Sequence, residues 1–227
     1  MGPSTPAVAG LWGLSQAQAA ALGAHAKPLS ARRGDVIAPR GAVLPGVLVV
    51  CSGSVKLSLR GAEGEERVLR IVGAGESFGE PTALLRKPCL YDVIALSEAK
   101  LLSIASAGIF ALLERDRRFA RCLVVALAAR SYTVLAELEV ATTQRGAQRL
   151  AGYLESLPRR RGARGAATVH LPVSKTVVAA LLGMKKETLS RLLRQFSADG
   201  VIGMTRRDID ILDPARLAAF RRASSAA

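Results

Sequence analysis

From Asp116 to about Thr142 the chain runs without a single Gly or Pro, and so long a stretch free of both breakers points to one continuous helix. Within it Ala120, Val124, Leu127, Ser131, Val134, Leu138 and Ala141 recur in alternating steps of four and three. That is a 3.5-residue period, narrow enough for the seam of a two-helix coiled coil. Phe119, Leu123 and Ala126 lie on a neighbouring line and suit packing against the chain's own domain. A helix of this length has more faces than one small domain covers. The pattern therefore predicts self-association along Val124, Leu127, Ser131, Val134 and Leu138, with Ser131 the polar interruption.

Upstream the periodicity is that of strands. Short apolar runs at 35–37, 47–50, 54–59, 67–72, 91–96 and 100–104 alternate with glycine turns, the pattern of a small antiparallel barrel or jelly roll. The segment 15–26 reads as a short Ala-rich helix, and residues 1 to about 10 as a loose lead-in. The predicted class is α+β, with an N-terminal β-barrel or jelly-roll domain over 1–115, the long helix over 116–143 and a helical domain over 144–227.

In that last part, residues 174–200 read SKTVVAALLGMKKETLSRLLRQFSADG. A short apolar helix, a turn at Gly183 and a second helix rich in polar groups form a helix-turn-helix, whose second helix lies in the DNA major groove. Val177, Val178, Leu181 and Leu182 make one buried stripe; Leu189, Leu192, Leu193 and Phe196 make the other. Lys186, Glu187, Ser190, Arg191 and Arg194 are left on the opposite face. Residues 201–204 and 208–212 flank Thr205-Arg206-Arg207 as a hairpin, or wing. Asp213 and Pro214 then open a last helix as cap and first position. Pro158 to Gly165, PRRRGARG, reads as a basic loop.

Charge supports this division. The net charge is +14; from Gln144 onward there are 16 basic and 6 acidic residues, a net +10, against +4 before it. A phosphate-binding surface requires such a concentration. Three widely spaced cysteines make neither a disulfide framework nor a zinc site. No apolar run looks long enough for a membrane span, and the start lacks the order of a signal peptide, which is consistent with the cytoplasm. A phosphate loop, a nucleophile elbow and an HExxH pair are missing and there are only two histidines, so an enzyme is disfavoured. The rival reading is a non-DNA-binding sensor or scaffold whose basic C-terminal domain meets protein or membrane.

Barrel, long helix and winged helix-turn-helix, in that order, resemble the Crp-Fnr superfamily of bacterial transcription regulators. The resemblance rests on RGDVIAPRG at 33–41, SGSVKL at 52–57, GESFGE at 75–80, the block at 171–202 and IDILDPARL at 209–217. It looks closest to the branch governing anaerobic and nitrogen-oxide respiration. The resemblance implies a homodimer that binds double-stranded DNA and contacts RNA polymerase. It assigns base reading to Glu187, Ser190 and Arg191, on a palindrome of the TTGAT…ATCAA kind. The chemistry agrees: a guanidinium donates twice to guanine, and a carboxylate accepts from cytosine N4. Lys175, Thr176, Lys185, Lys186, Thr188 and Arg207 suit phosphates. Lys185 stands where relatives often have Ser or Thr, and a Lys cannot cap the helix.

The resemblance also implies an effector pocket at Gly79, Glu80, Cys89, Leu90 and Tyr91. Cyclic-nucleotide binders use a Gly-Glu pair for the ribose and an Arg-Ser or Arg-Thr pair for the phosphate. Gly79-Glu80 matches the first, but Cys89-Leu90-Tyr91 offers no arginine, which argues against cyclic AMP. An iron-sulfur cluster of the oxygen-sensing type needs four thiolates, and three cysteines do not supply it. Haem remains an alternative, with His25 and His170 as the only candidate histidines, though an ordinary surface role is the default for both. Cys89 is either a redox thiol or, by default, an inert buried one. The effector itself is left unassigned.

Overall fold

The structure, a computed structural model, describes Val8 and residues 11–62, 64–161 and 167–222. The chain divides into two compact units, Met1–Thr133 and Val134–Ala227. Most of the lead-in expected to be loose lies outside the described residues.

The first unit holds two four-stranded antiparallel sheets. One has the order β1 (Ala26–Ala31), β8 (Ala99–Ala105), β3 (Gly46–Ser52), β6 (Ser77–Phe78). The other runs β2 (Val36–Ala38), β7 (Asp92–Ala95), β4 (Ser54–Arg60), β5 (Glu66–Gly73). The barrel-or-jelly-roll expectation resolves to two packed sheets, with no closed barrel among the described residues. Strand β3 shows why: Val47, Leu48, Val49 and Val50 are all buried. Leu48 and Val50 face a core with Val55, Leu57, Val72, Phe78 and Val93 of the second sheet and its surroundings. Val47 and Val49 face the helices, joining Leu22, Ile109, Phe119 and Leu123. An unbroken apolar run is what a strand covered on both faces requires.

Three helices pack here: α1 (Gln16–Gly23), α2 (Glu80–Leu85) and α3 (Ser106–Arg115). The first is shorter than expected because Ala26 already begins β1, and the other two were not anticipated. The long helix α4 spans Arg117–Thr143. Its start is fixed by Asp116, which accepts from Phe119 N at 2.9 Å and from Gln18 Nε2 at 2.8 Å. The Gln18 hydrogen bond, then the Phe119 amide, hold the Asp116 carboxyl below its ordinary value. Phe119 and Leu123 are buried as expected, and Ala126 is half-buried. By length and composition α4 qualifies as long and apolar enough to cross a membrane, which corrects the sequence reading. Its many small Ala residues raise the average without making an obvious apolar block. Yet Arg121, Arg130, Glu137 and Glu139 lie along it, charges that are costly to desolvate in lipid.

The second unit opens with α5 (Gly146–Ser156) and contains α6 (Lys175–Leu181), α7 (Lys186–Ala198) and α8 (Pro214–Arg222). Asp213 Oδ1 accepts from Arg216 N at 2.9 Å, the predicted cap of α8. A four-stranded antiparallel sheet has the order β11 (Ile202–Thr205), β12 (Asp208–Ile211), β10 (Ala167–His170), β9 (Arg159–Arg161). The wing is therefore part of a larger sheet. The basic segment expected as a loop forms strand β9 over its first arginines; its remainder lies outside the described residues.

Candidate functional site

Helix α6 is capped by Ser174, whose Oγ accepts from Val177 N at 3.4 Å. It ends where Gly183 takes a φ of +62°, a conformation that only glycine adopts without strain. Gly183 N donates to Ala180 O and Met184 N to Ala179 O, which closes the turn. Val178 and Leu182 are buried, while Val177 and Leu181 are only half-buried; Ala179 and Ala180 complete the packed face. On α7, Leu189, Leu193 and Phe196 are buried and Leu192 half-buried. Burying these side chains is worth roughly 1.5–3 kcal/mol each and fixes the rotation of the helix. The opposite side presents Lys186, Glu187, Ser190, Arg191 and Arg194 around one shallow hollow.

Glu187 and Arg191 are exposed and Ser190 is half-exposed, so the three predicted readers share one outward face. Lys185 occupies the cap position of α7 and its side chain makes no capping hydrogen bond, as expected of a lysine. Of the phosphate candidates, Thr176, Lys185, Lys186 and Arg207 are exposed, and Lys175 and Thr188 half-exposed. The wing turn places Arg206 at φ +56°, an uncommon backbone for a non-glycine residue. Arg207 O accepts from Leu171 N at 2.9 Å, which ties the wing to the strand that leads into α6. The sequence marks Gln144 to Arg149 as a hinge but does not reveal what Arg149 touches. Its Nε donates to Leu182 O at 2.8 Å and its Nη1 to Gln144 O, joining the end of the long helix to the turn of the helix-turn-helix. No local pattern marks a contact between residues so far apart in sequence.

Along α4, Val124 is 64% exposed, and Val134 and Leu138 are also exposed. Leu127 instead packs against the helix-side core. The exposed apolar face is broader than the predicted stripe and includes Val125, Tyr132 and Leu135. Its midline runs through Val124, Ala128, Ser131, Leu135 and Leu138, again with a 3.5-residue period.

The five effector-pocket candidates are divided. Gly79, at φ +86°, starts α2, and Glu80 is its first residue. The Ser77 hydroxyl donates to Glu80 Oε1. Arg70 donates to Ser77 O at 3.0 Å and to Glu76 Oε1 at 2.6 Å. Tyr91 is half-buried against the inter-sheet core. Burial pushes its hydroxyl up to about 12, reinforced by the charges of Cys89 and Glu80 and opposed by the Gly79 amide and Arg70. Tyr91 thus lies beside Gly79, Glu80 and Arg70. Cys89 is buried and its thiol donates to Tyr91 O at 3.2 Å, while Leu90 is exposed. The arginine missing from 89–91 has a neighbour in Arg70, reached from strand β5, but its guanidinium is already engaged.

Neither histidine joins this cluster. His25 is exposed with its ring over Gly108, and His170 Nδ1 pairs with Asp208 Oδ1 at 2.6 Å in the other unit. A haem at the Gly79–Tyr91 site would find no histidine there.

A two-sheet domain, a long helix and a winged helix-turn-helix with an outward polar row define a two-part DNA-binding regulator. The family matches agree. Residues 28–116 match the cyclic nucleotide-binding domain and residues 148–220 the Crp-like helix-turn-helix domain. The chain belongs to the Crp-Fnr superfamily of transcription regulators. It is similar to the CRP-like cAMP-activated global transcriptional regulator of Mycobacterium tuberculosis, 28% identical over 211 residues, covering 91% of this chain and 93% of that one. Among solved structures, a putative cyclic nucleotide binding protein from Ruegeria pomeroyi shares 28% identity, with a TM-score of 0.63 and 97% and 98% of the two chains covered. FixK2 from Bradyrhizobium japonicum shares the fold at 22% identity, with a TM-score of 0.72 and 89% and 98% covered.

Proposed function

We propose that this chain is a homodimeric regulator whose two α7 helices read a palindrome of the TTGAT…ATCAA kind, as in the Fnr branch of the superfamily. The observation that carries the reading is the single outward face shared by Glu187, Ser190 and Arg191 above buried Leu189 and Leu193. Two copies joined along Val124, Ser131, Leu135 and Leu138 would set the readers about one helical turn of DNA apart, roughly 34 Å. RNA polymerase is the partner through which such a DNA-bound dimer acts, and the cytoplasm is where it meets its DNA.

The signal enters through the sheet domain and is not cyclic AMP. Cys89, Leu90 and Tyr91 offer a phosphate no cation, and Arg70 is held by Ser77 O and Glu76. A buried phosphate without such a partner is poorly compensated. A signal acts only if it binds the DNA-competent arrangement better than the other. The test is competition binding: the protein should retain a labelled TTGAT…ATCAA duplex against a scrambled competitor, with or without cyclic AMP. Equal affinity for both duplexes would refute the base-reading assignment, and a cyclic AMP response the effector assignment.

A further inference from the structure

Strand β9 is the open edge of the winged sheet, and it consists of Arg159, Arg160 and Arg161. Its register partners on β10 are Val169, Thr168 and Ala167, none of them charged. Arg159 and Arg160 are both exposed, and among the described residues neither has an ion pair or side-chain hydrogen bond. Three carboxylates of this unit are already engaged with other partners. Asp210 accepts from Thr168 Oγ1 at 2.5 Å, Asp208 pairs with His170, and Glu155 pairs with Arg221 at 2.9 Å. One charge suffices to keep a sheet edge from pairing with another chain. Consecutive cations repel one another, and that cost is offset when a polyanion lies alongside.

The register says where these charges stand. Arg159 is level with Val169, which is level with Ile209 and, through it, Met204. Two residues beyond Met204 begins the Arg206-Arg207 turn of the wing. From β9 to β12 is two strand spacings, about 10 Å. At this same end β10 passes through Leu171, bonded to Arg207 O, into the Ser174 cap of α6. Because side chains alternate along a strand, Arg159 lies on the Val169 side and Arg160 on the Thr168 side. The edge carries a guanidinium on each face.

We propose that Arg159 and Arg160 form a second phosphate-binding surface, which grips the DNA backbone beyond the bases that α7 reads. These contacts add affinity without sequence preference. They extend the basic row that Lys175 and Arg207 begin at the same end of the sheet.

The test is the salt dependence of DNA binding by the full chain, measured by anisotropy on random-sequence duplexes, so it does not depend on the proposed palindrome. One duplex spans only the two helix-turn-helix sites, and the other adds a helical turn at each end. On the longer duplex, Arg159→Ala/Arg160→Ala should flatten the slope of log K against log salt by at least about one per protomer, since the two guanidiniums stand on opposite faces of the edge. On the shorter one it should match the parent. Arg159→Lys/Arg160→Lys should keep the parent slope, since a phosphate needs the charge more than the fork. Equal slopes for parent and Ala variant on the longer duplex would overturn the proposal. So would a variant that loses transcription while binding DNA unchanged, which would assign the edge to a protein partner. Arg191→Ala should keep the parent slope on these random duplexes and lose preference only between a matched and a scrambled palindrome, so failure of the base-reading assignment is separately visible.

Discussion

On the outward face of α7, Lys186, Glu187, Arg191 and Arg194 have no ion pair among the described residues. At the Gly79–Tyr91 site of the sheet domain the situation is reversed. Ser77 holds Glu80, Glu76 and the Ser77 carbonyl hold Arg70, and Tyr91 leans on the Gly79 amide. A charge without an internal partner keeps its full hydrogen-bonding capacity for DNA. A charge satisfied inside the fold must lose a bond before it can bind anything, a loss that is small for the solvent-exposed Arg70–Glu76 pair and larger, about 1–3 kcal/mol, where the group is buried. The recognition helix is therefore ready for its partner, whereas a ligand of the sheet domain has to compete with the domain's own contacts.

The comparison breaks most severely if the packing beneath the readers is removed. Phe196 is fully buried and its ring lies 4.6 Å from that of Phe220. Phe196→Ala should destabilise the winged unit by about 3–5 kcal/mol and abolish DNA binding. Trp12 is the chain's single tryptophan and packs on Phe119 in the sheet unit. Its fluorescence should therefore show a parent-like unfolding transition while helical circular dichroism is partly lost at lower urea. Simultaneous loss of both signals would mean the units do not have separate stabilities.

Next in size is the reader itself. Arg191→Ala should cost about 1–3 kcal/mol per half-site on the matched palindrome and almost nothing on random DNA. Lys175→Ala should weaken both equally and flatten the salt slope by about one. If the two variants behaved alike on matched and random duplexes, the division between reading and positioning would be wrong.

The helix-turn-helix was legible because its chemistry is local: period, glycine turn and polar row all fall within 174–200. Strand β1 was not. It contains Pro28, lies at a sheet edge and is mostly exposed, so it shows no alternation. Helix α2 was hidden among strands, with too few residues to display a period, and α3 fills the short join between β8 and the long helix. Strand β9 looked like a loop because charge and glycine dominate its composition. The Arg70–Ser77–Glu80–Tyr91 cluster joins β5, β6, α2 and the start of β7, and register between strands is not written in any one of them. On α4 the sequence carries two adjacent heptad lines. Only the fold shows that Leu127 turns inward and that the free face is centred nearer Leu135.

That shift is itself testable. Leu135, 65% exposed and absent from the predicted seam, should be a central contact of the dimer. Leu135→Asp should raise the dimer dissociation constant at least tenfold, in keeping with roughly 2 kcal/mol for a well-packed interface residue. Leu127→Ala should instead lower the stability of the sheet unit, seen through Trp12, with little change in self-association. Sedimentation equilibrium on both variants decides between the two lines of the helix.

The smallest effect concerns Tyr91 and probes the self-satisfied side of the comparison. Its hydroxyl ionises near 12 in the fold and near 10 in an unfolded chain. Below pH 10 it is protonated in both states and contributes no pH dependence. Between pH 10 and about 12 the unfolded chain loses the proton while the folded one keeps it, so stability falls as pH rises. Tyr91→Phe removes that decline from the sheet unit, read as a smaller pH dependence of the Trp12 urea midpoint. Tyr153 supplies the internal control. It is also pushed up to about 12, by burial alone, and it lies in the winged unit. Its contribution should persist in the Tyr91→Phe variant. A Trp12 midpoint with the parent's full alkaline slope would show that the Tyr91 hydroxyl is not buried in the fold. Glu80 and Arg70 would still be held by Ser77 and Glu76, and only the tyrosine would be open to a ligand.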